Sequence, residues 1–329
     1  MEDIAIKGLK GKRVALQFPE GLRHRALGLA RRMEERNGCE VVILGDPCFG
    51  ACDLPSPSTL AGIGADVLVH VGHLPLPRAG RRIGRTRVIF MELKTDIDLG
   101  RLFDVLLKGD ALEKLGARLG LATTAQHIHQ LDDVAAWLEK RGIRTERAKW
   151  GSRSCCPGHV IGCSQSGAVR FRGSSILFIG TGTFHPLGLA LAASVPVFQY
   201  DPERGEVTGL ADAKDRFLRQ RFAAIERARD AKRFGVLVSS KPGQSRVSLA
   251  RRARKALINS GREATVVAVD EVRPELLDYM DADAWVSTAC PRIAFDDAAR
   301  FKKPILTFFE LEIMLGKRRW EDYVPDSFG

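Results

Sequence analysis

The chain has 329 residues, 45% hydrophobic and 28% charged, the composition of a globular protein long enough for two or three domains. No run approaches the roughly 18 apolar residues a membrane helix needs, and residues 1–12 carry Glu2, Asp3, Lys7 and Lys10 in place of the apolar core of a signal peptide, so a cytoplasmic protein without a membrane partner is expected. The 51 Lys and Arg against 40 Asp and Glu give a net charge of +11, which suits an acidic partner or a plain solvated basic surface; with only 7% aromatic residues no stacking platform for a nucleic-acid strand is evident, and direct nucleic-acid binding is not expected.

Three stretches of the chain read alike. The first opens with an apolar strand at 14–18 and the turn Pro19-Glu20-Gly21. A helix is predicted from about Arg23 to Arg36, with Leu27, Ala30 and Met33 at helical spacing and Gly38 as its stop. Strands at 40–44, 66–71 and 87–91 follow. The second stretch has a strand at 119–125, a helix over 131–140 stopped by Gly142, a polar strand at 145–150, and apolar strands at 175–180 and 195–200. The third has a strand at 234–238, a helix over 246–259 stopped by Gly261, and strands at 264–269, 284–288 and 304–309. Strand starts recur at roughly 110 residues. The final strands agree in form, each closing on an acid: Glu92, Asp201 and Glu310.

Short apolar strands alternating with helices predict parallel sheets covered on both faces. The fold class is therefore α/β, with three homologous small doubly wound parallel-sheet domains, 1–105, 106–222 and 223–329, around a pseudo-threefold centre. The connections near 100–110 and 215–230 read as helical, so the domains are expected to pack against each other.

Seven cysteines in a cytosolic chain point to ligands or buried thiols instead of disulfides. Ligands of parallel α/β sheets bind beyond the carboxyl ends of the strands, and each stretch carries cysteine there. Cys48 and Cys52 follow the second strand of the first stretch; Cys155, Cys156 and Cys163 occupy the same slot in the second. Cys290 lies one strand later in the third, where the other two stretches have Gly72-His73-Leu74-Pro75 and Thr183-Phe184-His185-Pro186. Three thiolates from distant positions suit an iron–sulfur cluster with one iron left open for substrate. Gly50 and Gly162 would let backbone approach a bulky inorganic core. Cys48, Cys52, Cys155 and Cys163 could instead make a structural zinc site, though a tight Cys-x-x-Cys pair is absent. Cys39, at the start of an apolar strand, reads as core. The Cys-x-x-x-Cys-x-x-Cys run of ordinary radical enzymes is excluded, because Pro55 stands where its third cysteine would be.

Five motifs spread over nearly the whole chain resemble the archaeal diphthamide biosynthesis enzyme of the first step. They are Gln17-Phe18-Pro19-Glu20-Gly21-Leu22, Phe49-Gly50-Ala51-Cys52-Asp53, Gly158-His159-Val160-Ile161-Gly162-Cys163, Ser239-Ser240-Lys241-Pro242-Gly243-Gln244, and the run from Ala289-Cys290-Pro291-Arg292 to Asp297. The resemblance implies three homologous domains, each giving one cysteine to a 4Fe-4S cluster with one open iron site, in a homodimer. It implies a non-standard radical transferase whose co-substrate is S-adenosylmethionine, cleaved between sulfur and the γ-carbon of its methionine part. The products would be methylthioadenosine and a 3-amino-3-carboxypropyl radical that adds to an imidazole carbon of a histidine in translation elongation factor 2, with an electron donor required. By matching, Cys52, Cys163 and Cys290 are the cluster ligands and act in catalysis through it, and Cys48, Cys155 and Cys156 are extra thiols.

Around such a centre, Arg292 is placed to pair with the substrate carboxylate in a fork geometry, or else is a surface arginine. Gln244 could bind the amino acid or adenosine end. Gly182 and Thr183 could bring backbone amides to the ribose, or form a plain tight turn. His185 could touch substrate or bond a loop carbonyl, and Glu20 could do no more than start a helix. Two further readings stay open. Quinolinate synthase also resembles three stacked α/β repeats around a three-cysteine cluster, although its motifs do not match these loops. A zinc-stabilised basic module would instead bind RNA in a salt-sensitive way.

Overall fold

The computed structural model describes residues 6–77 and 80–328; Met1–Ala5, including Glu2 and Asp3 of the segment weighed above as a signal peptide, lie outside the described residues. The first sheet holds β1 (Arg13–Gln17), β2 (Glu40–Ile43), β3 (Val67–Val71), β4 (Arg82–Ile83) and β5 (Thr86–Met91), flanked by α1 (Ala26–Asn37) and α2 (Pro57–Gly62). The second follows α3 (Leu99–Leu107) and α4 (Ala111–Leu115). It holds β6 (Arg118–Thr123), β7 (Arg144–Glu146), β8 (Ser175–Ile179), β9 (Val197–Asp201) and β10 (Glu206–Gly209), with α5 (Leu131–Glu139), α6 (Phe184–Ala192) and α7 (Ala211–Ala228). The third holds β11 (Arg233–Ser239), β12 (Glu263–Val269), β13 (Ala284–Ser287) and β14 (Ile305–Thr307), with α8 (Val247–Ile258), α9 (Pro274–Leu277), α10 (Arg292–Phe295) and α11 (Phe308–Met314).

The sheet orders are β2-β1-β3-β5-β4, β10-β9-β8-β6-β7 and β12-β11-β13-β14. Read from its edge, each sheet runs second, first, third, fourth parallel strand. That common order is the structural form of the repeat, and the fold is α/β with three parallel-dominated sheets. Short β4 and β10 add antiparallel edges to the first two sheets. The central strands explain why the apolar runs were readable: every residue of β3 and β8 is buried, as both faces of a parallel sheet are covered. Separate apolar cores form around Leu16, Met33 and Val69, around Leu121, Leu138 and Leu177, and around Val236, Leu257 and Val286.

By internal contacts the chain forms two compact units. One is Met1–Thr95 with Lys241–Gly243; the other is Asp96–Ser240 with Gln244–Gly329. In the larger unit α7 packs on α6, on α11 and on β14, which realises the helical connection expected near 215–230. Arg221 of α7 is buried and pairs in both its Nε and NH2 groups with buried Glu310, at 2.7 and 2.6 Å. It also donates to the carbonyls of Ala294 and Ile305.

Three expected elements differ. The helix after the first strand begins later, since Glu20–Arg25 form a 3-10 turn before α1. The polar strand at 145–150 ends at Glu146: Trp150 leaves the sheet, is fully buried, and donates its indole N–H to the Leu121 carbonyl at 3.0 Å. The last strand stops at Thr307. Its hydroxyl accepts the Glu310 N–H at 3.3 Å while the Glu310 carboxylate accepts the Thr307 N–H at 2.8 Å, so Glu310 closes a capping box at the start of α11 instead of ending a strand.

Candidate metal centre

In the smaller unit, Cys52 lies in the loop after β2, and that loop is built around its neighbour Asp53. The Asp53 carboxylate is 1% exposed. It accepts the Phe49 N–H at 3.0 Å and the Lys241 ammonium at 2.5 Å. Its backbone carbonyl accepts the Gln17 amide at 2.8 Å, and its N–H closes a turn onto the Gly50 carbonyl at 2.9 Å. Gly243 lies flat against the Cys52 backbone; a Cβ there would sit 2.3 Å from the Cys52 carbonyl oxygen. The segment Lys241–Gly243 thus helps to hold the Cys52 loop, 188 residues away in the Lys241–Asp53 pair.

In the larger unit, Cys163 is buried and Cys290 half-buried. Two contacts bring their loops into one assembly. A Cβ at Gly162 would fall 2.4 Å from the ring of Phe184, so the Cys163 loop rests on that ring. The same ring lies 6.3 Å from Phe295 and 5.5 Å from the Arg292 guanidinium, both just beyond Cys290. On the other side, Phe328 donates its N–H to the Cys163 carbonyl at 2.8 Å and stacks under Arg153 and Arg246. Arg246 donates to the Thr288 and Ala289 carbonyls at 2.7 Å each and pairs with Asp326. The residues at 326–328 therefore tie the Cys163 loop to the backbone leading into Cys290.

The seven cysteines are free thiols. Cys52, Cys163 and Cys290 all lie on loops beyond carboxyl strand ends, each adjoining glycine or tightly held backbone. A Cβ at Gly50 would meet the Cys52 sulfur at 3.6 Å, an ordinary van der Waals contact. Thiolate donors of this kind fit an iron–sulfur cluster. Cys155 and Cys156 place their sulfurs 3.2 Å apart, and Cys155 lies 3.2 Å from Nδ1 of His159, whose pKa burial lowers to about 4. Cys39 is partly packed on the first core.

Arg292 is half-buried, with its Nε 2.8 Å from Asp296; burial lifts the Asp296 carboxyl above its ordinary value against the pull of that arginine. Gln244 is buried. Gly182 takes φ +74, and its carbonyl accepts the Gln199 amide, a tight turn leading into α6; Thr183 is the residue before that helix. His185 stacks on Phe178 at 6.4 Å between centroids. Glu20 is exposed in the first 3-10 turn, the plainer of its two readings. The sequence reasoning passed over Gln17, Asp53, His70, Arg246 and Phe328 as site residues, because their partners are remote in the chain.

Three parallel-dominated sheets with cysteine loops beyond their carboxyl strand ends make an α/β protein of repeated doubly wound form that carries the donors for a metal centre. Residues 18–325 match the family described as "Putative diphthamide synthesis protein". The chain is 40% identical over 98% of its length, and 90% of the relative's, to 2-(3-amino-3-carboxypropyl)histidine synthase of Pyrococcus horikoshii. It is 31% identical over 98% of its length, and 77% of the relative's, to subunit 1 of the synthase of that name from Gallus gallus. The crystal structure of Dph2 from Pyrococcus horikoshii with a 4Fe-4S cluster superposes with a TM-score of 0.86 at 38% identity, over 96% of this chain and 89% of that one. The chain belongs to the diphthamide synthesis family, which selects the first of the three readings the residues left open. No described helix is long and apolar enough to cross a membrane.

Proposed function

We propose that this protein transfers the 3-amino-3-carboxypropyl group of S-adenosylmethionine to a histidine of translation elongation factor 2, the first step of diphthamide biosynthesis. The match over 96% of the chain to a relative bearing a 4Fe-4S cluster carries this reading. The three repeats, 1–105, 106–222 and 223–329, would each give one ligand: Cys52, Cys163 and Cys290. The threefold recurrence of one strand order supports that division. When bound, the cluster would supply the single electron that a sulfonium needs for carbon–sulfur cleavage.

The chain's own residues hold and orient. Asp53, Lys241 and Gln17 fix the Cys52 loop; Phe184, Arg246 and Phe328 fix the loops of Cys163 and Cys290. Selection of one carbon–sulfur bond among three rests on orientation. Arg292, Gln244, the Gly182–Thr183 turn and His185 are the groups proposed to hold the substrate's polar ends. Glu20, exposed in the first turn of a 3-10 helix, is the weakest member of that set. A homodimer in the cytoplasm, served by an electron donor, completes the reading, and the net charge of +11 suits an acidic protein substrate.

The anaerobically reconstituted, reduced protein should convert S-adenosylmethionine to methylthioadenosine and label elongation factor 2 from carboxypropyl-labelled substrate. Release of 5′-deoxyadenosine as the sole nucleoside product would defeat the proposal.

A further inference from the structure

We propose that Cys48, His70 and His73 form a second metal site, distinct from the cysteine set above, that takes zinc(II) or a similar borderline divalent ion with an open fourth position. One ligand atom from each of the three residues lies within 4.8 Å of the others, the sole such group of three or more found among the described residues. All three belong to the smaller unit. Cys48 follows β2, His70 is on β3, and His73 is in the loop beyond.

The position is one where the topology makes a crevice. The first sheet runs β2-β1-β3, so its order reverses at β1, and Gln17 at the end of β1 is register partner of His70 on β3. Ligands of doubly wound sheets collect at such a switch point. Gly72, with φ +82, turns the chain so that His73 comes back over His70. A side chain there would press on Pro19 and Leu22 at 3.0 Å.

The hydrogen bonds fix the tautomer of His70. The Gln17 amide nitrogen donates to the Asp53 carbonyl, which leaves its oxygen facing Nδ1 of His70 at 2.7 Å. Nδ1 of His70 is therefore the protonated nitrogen, and Nε2 carries the lone pair. That lone pair accepts the Nδ1–H of His73, 2.9 Å away, so an ion held between the two nitrogens would take His73 with its proton on Nε2. A second-group partner on one ring nitrogen, with the other left as donor, is the usual arrangement of a histidine ligand. His70 is fully buried, Cys48 is 1% exposed and His73 is half-buried. Binding a dication would release the Cys48 thiol proton, and the ion would offset the charge of the buried thiolate so formed; one sulfur with two imidazoles suits zinc, cobalt or a related ion. Because Gln17 and Cys48 both meet the Asp53 carbonyl, an ion here would also stiffen the loop carrying Cys52.

The full-length chain carrying Cys52→Ser, Cys163→Ser and Cys290→Ser tests this apart from the proposed function, since no cluster can form on it. Titration with cobalt(II) should fill one site per chain, with the intense visible bands of tetrahedral cobalt and a thiolate charge-transfer band. Zinc should displace the cobalt. Adding Cys48→Ser should abolish the charge-transfer band. His73→Ala should weaken binding at least about a hundredfold, and Gln17→Leu about 10–100-fold, as expected for a group that orients a ligand. Each variant is compared with its parent by circular dichroism without metal, and His73→Ala, at a half-buried loop position, serves where a core variant unfolds. An unchanged cobalt spectrum after Cys48→Ser, or affinity unmoved by His73→Ala, overturns the site. So does binding below one equivalent.

Discussion

Replacing Asp53 should loosen the Cys52 loop and lower stability by about 3–5 kcal/mol. The carboxylate is buried and holds two partners, the Phe49 N–H and the Lys241 ammonium, the latter 13% exposed in its side chain. Asp53→Ala removes both of these contacts. Charge-assisted hydrogen bonds contribute about 1.5–3 kcal/mol each, and breaking a buried pair by removing one partner costs about 3–5 kcal/mol. Asp53→Asn keeps the volume but turns one donor toward another, so it should cost nearly as much. Lys241→Met strands the carboxylate and belongs in the same range. The double variant Asp53→Ala with Lys241→Met leaves no unpaired charge, and its loss should fall about 2 kcal/mol or more short of the sum of the singles, because contacting residues couple. Urea unfolding of the apo chain followed by circular dichroism reads these values, with the rate of iron loss after reconstitution as the functional companion. Single variants within about 0.5 kcal/mol of wild type, or a strictly additive double, would refute the reasoning.

Glu310→Gln should destabilise by about 3–5 kcal/mol, because it leaves the Arg221 guanidinium buried without its counter-charge. Burial alone would raise the Glu310 pKa, but Arg221 beside it holds the carboxyl below its ordinary value of 4.5. Its contribution is therefore complete above pH 4.5 and is lost as pH falls through the depressed value, so wild type should lose stability more steeply there than Glu310→Gln. Gly162→Ala should displace Phe184, since its Cβ would lie 2.4 Å from that ring; a loss of about 1–3 kcal/mol and a faster loss of iron are the expected readings. Arg246→Ala releases the carbonyls of Thr288 and Ala289 together with Asp326, and amide exchange at 288–292 should quicken while that in the first sheet stays unchanged.

The strands were legible because the central ones are buried on both faces and read as unbroken apolar runs, as in Val67–Val71 and Ser175–Ile179. The parallel order followed from their alternation with helices. Less could be read where local and tertiary signals conflict. Phe308 and Phe309 continue an apolar strand pattern, yet the Thr307–Glu310 box turns them into a helix. Trp150 looked like a strand end and is instead a plug against Gly120, where a Cβ would fall 2.7 Å away. The cysteine loops could be seen as a set, but not what holds them. The partners of Asp53 are remote in sequence, and His70 sat inside Val-Leu-Val-His-Val as one polar residue in a buried strand. That placement is itself a signal, since a histidine on a strand covered on both faces must have a partner.

Iron and sulfide analysis with Mössbauer spectroscopy, on anaerobically reconstituted wild type and on single Cys→Ala variants, tests the ligand set most directly. Wild type should hold one four-iron cluster per chain, with one iron site distinct from the other three. Cys52→Ala, Cys163→Ala and Cys290→Ala should each lose that cluster, while Cys39→Ala and Cys156→Ala keep it. A full cluster in any of the first three variants, or its loss in Cys156→Ala with retention in Cys163→Ala, would contradict this ligand set.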